Sequence, residues 1–323
     1  MRFGAGLWCL QSTATAPRHP ARAYDELLED AVVMERLGFD ALWLSQHHFF
    51  YDGYCPSTVT AAAGALAATE RLTVATGMSL ASMRDPQRLG EECAALDARS
   101  GGRFELGLGL GYRDVEFDGK GVPRKERVGR RKDAMRAVKA AAPDVPIWLG
   151  SALPEAVARA GAHGHGVLFS GANPLTLVRD LAAAHREGFE GSDRGGERPR
   201  VAALRNVWVT DDPAERRAVM DWFRASYVLY AGLGWSVPKR GETAAMDFTR
   251  EVDKALEDAV STAIVGSADE VTEGLQEVID AGVDELVFRI VIEGAPQPAV
   301  HEVLHRLALE VMPQLREREG VAA

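Results

Sequence analysis

Two adjacent imidazoles stand in the run Ser45-Gln46-His47-His48-Phe49-Phe50. Imidazole is the side chain most easily poised to exchange a proton near neutrality. Neighbouring side chains on extended backbone point to opposite faces, so one histidine can face a site while the other packs. His47 is the candidate catalytic residue; a hydrogen-bonded structural histidine is the plainer alternative. A metal reading is weak, because no carboxylate or further histidine sits at a supporting spacing. A second candidate is Leu106-Gly107-Leu108-Gly109-Leu110-Gly111-Tyr112. Alternate glycines leave one face without side chains, where a flat ring or a phosphate can approach the backbone. Gly109 and Gly111 are the positions of interest, against the alternative of a crowded strand end that needs small residues. The run is not a dinucleotide fingerprint, since Asp114 stands where a third glycine would be required counting from Gly109. A third candidate, Gly150-Ser151-Ala152-Leu153-Pro154-Glu155, joins a hydroxyl to the free N–H groups of a helix start. That is an anion site, unless Ser151 merely caps the helix. Thr76-Gly77-Met78-Ser79 closes a predicted strand, and Gly77 would tolerate unusual backbone geometry. No Walker motif is present, so a triphosphate site is not expected.

The elements that must position these residues alternate between two textures. Short β-rich runs end near glycine or polar residues, and longer amphipathic runs follow, which implies βα units and a parallel sheet. Strands are predicted at 2–8, 41–45, 72–76, 104–108, 146–149, 166–170, 201–209 and 285–290. Helices are predicted at 24–37, 57–68, 86–98, 125–141, 154–163, 175–187, 268–281 and 299–318, with a long segment 213–259 that is helical but broken around 232–241. Segment 109–124 reads as a Gly-rich loop and 190–198 as the most loop-like stretch. Eight βα units close a (β/α)8 TIM barrel, which leaves no exposed sheet edge. An open doubly wound sheet is the alternative. No repeat or linker divides the chain, so one domain over 1–323 is expected. In such a barrel the active site lies at the carboxyl ends of the strands, where all four candidate segments fall.

The 323 residues are 46% hydrophobic and 26% charged, enough apolar material for a large core. A net charge of −10 argues against a nucleic-acid partner, because phosphate binding needs a basic face. Cys9, Cys55 and Cys93 fit no metal motif and read as free thiols of a reducing compartment. No apolar run approaches the roughly 20 residues of a membrane helix. The first residues, strand-like, lack a signal peptide's apolar stretch, so a cytoplasmic location is expected.

Taken in order, these pieces resemble the bacterial-luciferase-like flavin-dependent oxidoreductases and monooxygenases. Leu37-Gly38-Phe39-Asp40-Ala41-Leu42-Trp43-Leu44-Ser45-Gln46-His47-His48-Phe49 resembles that family's second-strand segment. Arg71–Gly77, Asp85–Asp97, Ser100–Gly109, Gly282–Leu286 and Val311-Met312-Pro313 resemble its later segments, so the likeness spans nearly the whole chain. The resemblance implies reduced FMN, its supply by a separate flavin reductase, and O2 activated through a flavin hydroperoxide. In one branch it implies the deazaflavin F420 and hydride transfer instead; a non-catalytic flavin-binding subunit is a third alternative. It implies that His47 lies near the flavin's reactive edge. Gly77-Met78, beside Thr76, falls where members often carry a non-proline cis peptide, and Gly150, Ser151 and Ala152 approach the phosphate. It also implies a homodimer. Two departures stand out: Gln46 replaces the usual glutamate, and Leu110 stands where many FMN-binding members have an arginine, with Arg113 as a substitute. The substrate is expected to be small and partly hydrophobic, with Trp8, Gln46, Phe49 and Trp208 as pocket candidates beside Phe50, Tyr51, Tyr54 and Trp235. The segment 232–241 is a candidate lid.

Overall fold

The computed structural model describes residues 1–12, 17–50, 52–192, 198–232, 257, 259–292 and 295–322. Tyr51, Trp235 and the candidate lid from 233 onward lie outside them. Strands and helices alternate in the order of a (β/α)8 barrel. The strands are β1 Arg2–Trp8, β2 Ala41–Leu44, β3 Thr73–Thr76, β4 Phe104–Leu108, β5 Ile147–Leu149, β6 Gly166–Phe169, β7 Val201–Val209, β8 Ile264–Gly266 and β9 Glu285–Arg289. The helices are α1 Pro20–Leu37, α2 Thr58–Ala68, α3 Pro86–Ser100, α4 Asp114–Lys120, α5 Arg127–Ala141, α6 Pro154–Ala162, α7 Leu175–Glu190, α8 Pro213–Gly232, α9 Ala268–Asp280, α10 Gln297–Arg306 and α11 Met312–Ala322. Two short elements escape sequence reading. β8 is three residues long and pairs with Val207–Val209 of β7. α4 lies where a Gly-rich loop was expected.

The chain forms two compact units, Gly6–Gly150 and Met1–Ala5 with Ser151–Ala323. In the first, β2 to β5 pair in parallel, Leu44 beside Thr76 and Leu108 beside Leu149. Apolar side chains on both faces bury them, as a helix-covered parallel sheet requires. Trp43 and Trp148 meet edge to face at 5.2 Å, a contact worth about 1 kcal/mol beyond the area it buries. Helix boundaries follow local chemistry. Asp85 caps α3 by accepting the Arg88 amide, and Pro86 takes the first turn. Gly38 and Gly101 end α1 and α3 in the left-handed conformation. The Glu35 carboxylate near the end of α1 accepts the amides of Glu70, Arg71 and Leu72, fixing the entry to β3.

In the second unit β7 pairs with β6, β8 and β9. Helices α6 and α7 interlock where Gly161 and Gly188 leave no room for a Cβ against facing backbone. The buried His185 imidazole donates to the His165 carbonyl across the same contact. α9 starts on a reciprocal capping box of Ser267 and Glu270. α10 and α11 are joined by a π-helical turn at Leu307–Val311, where sequence periodicity suggests one continuous helix.

Candidate active site

His47 follows β2 and is buried, with 7% of its surface exposed. Its Nδ1 lies 2.9 Å from Glu116 Oε1. Its Nε2 lies 3.1 Å from the Tyr112 hydroxyl. Phe50, Tyr54 and Tyr112 surround the ring at centroid distances of 5.1, 4.9 and 5.4 Å. Tyr54 is held in turn by a 2.6 Å bond between its hydroxyl and Ser45 Oγ.

Glu116 comes from α4. Its side chain is fully buried, and Oε1 also accepts the His48 amide at 2.7 Å. Arg113 Nη1 lies 3.5 Å from the same oxygen, donates to the His48 carbonyl at 2.8 Å and covers the Phe50 ring. Burial pulls the Glu116 carboxyl upward, but the His47 bond and charge, the His48 amide and Arg113 outweigh it. The carboxyl is held below its ordinary range. Its Oε2 is buried without a hydrogen-bond partner among the described residues. Burial and the nearby carboxylate push the Tyr112 phenol up, so the hydroxyl stays protonated and donates to Nε2. An ionised carboxylate can only accept, so His47 carries its proton on Nδ1. A carboxylate thus orients an imidazole whose other nitrogen points at an acid hydroxyl, the arrangement of a base with its orienting group.

His48 takes the opposite direction, as alternation predicts. Its Nε2 lies 3.1 Å from Gln46 Nε2, and burial, with the Lys120 charge, lowers its pKa to about 4. It is a neutral packing residue. Gln46 does not face His47: its carbonyl accepts from Ser79 Oγ and the Leu80 amide, and its amide donates to the Pro56 carbonyl. The departure from glutamate therefore serves a neutral network that laces the end of β2 to the segment after β3.

That segment runs against the end of β4. Thr76 Oγ1 donates to the Gly107 carbonyl and accepts the Gly107 amide, so this hydroxyl is a fastener between strands. Gly77–Met78 is a cis peptide, as is Gly6–Leu7. A Cβ on Gly107 would overlap the Thr76 carbonyl oxygen, one on Gly109 would meet Met78 Cβ at 3.1 Å, and one on Gly150 would sit 3.5 Å from Met78 Cε. Met78, Gly109, Leu110, Gly111, Tyr112 and Gly150 are the half-buried residues at the ends of these strands. Gly109, Gly111 and Gly150 make half of this ledge bare backbone, Met78, Leu110 and Tyr112 supply its side chains, and Tyr112 ties it to His47. Gly111 is needed for a different reason: its φ is +74°, and its α-carbon faces Met83 and Phe117.

Other candidates go elsewhere. Trp8 is buried and donates to Asp30 of α1 at 2.7 Å, because a sealed indole N–H must find an acceptor. Trp208 is fully buried, bonded to Glu215 and set edge-on to Trp222, so it packs under α8. Phe49 is 55% exposed, with φ +56°, and lies over Gly119 of α4. Arg113, the substitute phosphate ligand suggested by sequence, is turned inward to His48 and Glu116. Ser151 Oγ accepts the Leu153 amide, and α6 starts without a side-chain cap. Sequence reading missed Glu116, gave Tyr112 no role of its own, and named Tyr54 only as a pocket aromatic. The acidic Asp114-Val115-Glu116 run followed by Gly121, an acidic first turn and a left-handed C-terminal cap, was the available signal.

Among the described residues no group of three or more His, Cys, Asp or Glu could hold a metal, and no helix is long and apolar enough to cross a membrane. The chain is 26% identical over 90% of its length to an F420-dependent glucose-6-phosphate dehydrogenase of Kineococcus radiotolerans, of which the match covers 93%. It is 23% identical over 91% of its length to the oxygenase component of a flavin-dependent trigonelline monooxygenase of Acinetobacter baylyi, covering 90% of it. Two uncharacterized Sinorhizobium fredii proteins, 28% and 30% identical, match over 60% and 51% of this chain and only 63% and 56% of their own length. The solved structure of monooxygenase RslO1 from Streptomyces bottropensis superposes with a TM-score of 0.83 at 21% identity, over 97% of this chain and 99% of that one, which shows the fold. A family model described as luciferase-like monooxygenase matches residues 1–285, and the chain belongs to that family of oxidoreductases.

Proposed function

We propose that this protein is a monooxygenase that uses reduced FMN, delivered by a separate reductase, and O2 to oxidise a small organic molecule. The observation that carries the reading is the His47–Glu116 pair beside the glycine ledge at the ends of β3, β4 and β5. The residues fit a flavin: a planar ring needs a ledge with few side chains, and its reactive edge needs a proton-exchanging group. Thr76, Gly77, Met78, Gly109 and Gly150 would hold the ring system, with Ser151 and Ala152 towards its phosphate. The bound cofactor would supply the electrons that activate O2.

This chain's own residues do the rest. Glu116 holds the imidazole in one orientation and one tautomer. His47 Nε2 accepts the hydrogen bond of the Tyr112 hydroxyl, which holds in place the nitrogen that would exchange a proton. Phe50 and Tyr54 pack against the ring and keep water off it, which strengthens each of these bonds. The Glu116 carboxylate faces the His47 imidazole and the Arg113 guanidinium. The test is product formation from reduced FMN in air. His47→Ala should lower turnover by about 10²-fold or more, and unchanged turnover would remove His47 from the mechanism.

A second reading is F420-dependent hydride transfer. Leu110 in place of an arginine and the inward turn of Arg113 favour it, and the similarity to an F420-dependent dehydrogenase supports it. Oxygen-independent turnover with F420, and none with FMN, would select it. Flavin binding without any effect on the flavin's reaction with O2 would mark a non-catalytic subunit. The three cysteines are buried and in no disulfide, in keeping with a reducing cytoplasm. Burial raises the Cys55 and Cys93 thiols to about 11 and 12, so neither is a nucleophile. A homodimer is the assembly we expect.

A further inference from the structure

Gln46 is 3% exposed, and both polar atoms of its side chain are engaged. Its two backbone partners settle which way the carboxamide faces. The Leu80 amide can only donate, so the atom 3.2 Å from it is the oxygen. The Pro56 carbonyl can only accept, so the atom 2.9 Å from it is the nitrogen. Ser79 Oγ at 3.0 Å and Thr58 Oγ1 at 3.4 Å donate to the same oxygen. The remaining N–H of the carboxamide meets His48 Nε2, 3.1 Å away. A donor held there needs a lone pair opposite, so His48 carries its proton on Nδ1 and is neutral.

The charges around His48 suit that state. Lys120 and Glu116 of α4, Arg84 before α3, and His47 face the ring, and of these only Glu116 favours an imidazolium. The backbone of His48 in turn holds the site. Its amide donates to Glu116 Oε1, the oxygen that His47 Nδ1 also bonds, and its carbonyl accepts from Arg113. An imidazolium at position 48 would compete with His47 for that one carboxylate. Gln46 thus reaches His47 at two removes, through the ring and backbone of His48 and then through Glu116.

We propose that Gln46 is a positioning residue for the chemistry of His47: it locks His48 in the neutral Nδ1–H form and so reserves the Glu116 charge for His47. The proposal rests on the reading of His47 as the proton-exchanging group. A carboxylate in place of the carboxamide exposes the dependence. In Gln46→Glu one oxygen keeps the bonds to Ser79 and Leu80. The other faces the Pro56 carbonyl and His48 Nε2, two acceptors with no hydrogen to share. A proton must enter, and imidazole is a stronger base than carboxylate, so His48 takes it up.

The experiment labels the full chain with 15N at histidine and titrates it by NMR across about pH 5–8, the His48 signals being those absent from His48→Gln. In the wild type His48 should be the neutral Nδ1–H tautomer at pH 7. In Gln46→Glu its pKa should rise by about 1–3 units. The kcat of that variant, with whichever of reduced FMN and F420 supports turnover, should gain an ionisation at the same pH, with KM for that cofactor little changed. The double variant Gln46→Glu/His48→Gln should lose that ionisation. A wild-type His48 that is charged, or protonated on Nε2, at pH 7 would overturn the proposal, as would a titration unmoved in Gln46→Glu. So would a moved titration that leaves the kcat profile as it was and raises KM instead, since Gln46 would then only brace the turn at Ser79. A wild type that turns over with neither cofactor would refute the reading of His47, whereas the imidazole titration alone decides whether residue 46 governs His48.

Discussion

At the scale of single residues the site is a question of where one proton sits. Glu116 fixes the Nδ1–H form of His47, so its charge is needed for orientation and for stabilising the imidazolium. Glu116→Gln keeps the shape and removes the charge. We expect turnover to fall by about 10²-fold, the size typical of general acid–base assistance, with the secondary structure unchanged by circular dichroism. A variant with full turnover would mean the carboxylate is only structural. His48 gives an independent test on stability. Its folded pKa of about 4 lies below the ordinary 6.5, so the unfolded chain binds more protons between those values. Stability is therefore complete above pH 6.5 and falls as pH drops towards 4, by at most about 3 kcal/mol. Urea unfolding at pH 7 and 4.5 should show this loss, and His48→Gln should flatten most of it. An equal slope in the variant would place the titration in another group, and not in Glu116, whose lowered pKa predicts loss only below the ordinary carboxylate range.

At the scale of elements, α4 decides what could be read in advance. The histidines, the glycine run and the strand ends were legible, because strand periodicity and glycine spacing are local. Glu116 was not: it lies 69 residues from His47, and its helix has seven residues with a glycine inside, too short for a hydrophobic period to show. Trp8 and Trp208 failed as pocket residues for a related reason. Their types suit a pocket and a core equally, and only the acceptor each indole finds distinguishes the two. α4 is anchored by Phe117, buried against Leu80 and Met83. Phe117→Ala should cost about 3–5 kcal/mol in chemical denaturation and lower activity by loosening Glu116. Activity lost without any fall in stability would contradict that anchoring. Gly107→Ala should destabilise by about 2–3 kcal/mol, because its Cβ would overlap the Thr76 carbonyl and break the fastener between β3 and β4. A neutral effect there would show that the two strand ends can move apart.

At the scale of the whole molecule, alternation of eight βα units was enough to name the fold class, and the luciferase-like family follows from a match over residues 1–285. What the sequence left open is chemical rather than architectural: the same fold serves relatives named for flavin-dependent oxygenation and for F420-dependent dehydrogenation. Three of the four proposed pocket side chains, Trp8, Gln46 and Trp208, are committed to packing or internal hydrogen bonds, so the substrate's character is not set by them. The proposed chemistry requires imidazole 47 to act on a reduced flavin resting on the ledge beside it. Stopped-flow reoxidation of reduced FMN by O2, followed by flavin absorbance with the wild type and with His47→Ala, tests this most directly. The wild type should bind reduced FMN and change its reoxidation rate, and the variant should still bind but shift that rate at least tenfold. Identical traces for the two proteins, or a wild-type trace no different from free FMN, would contradict it.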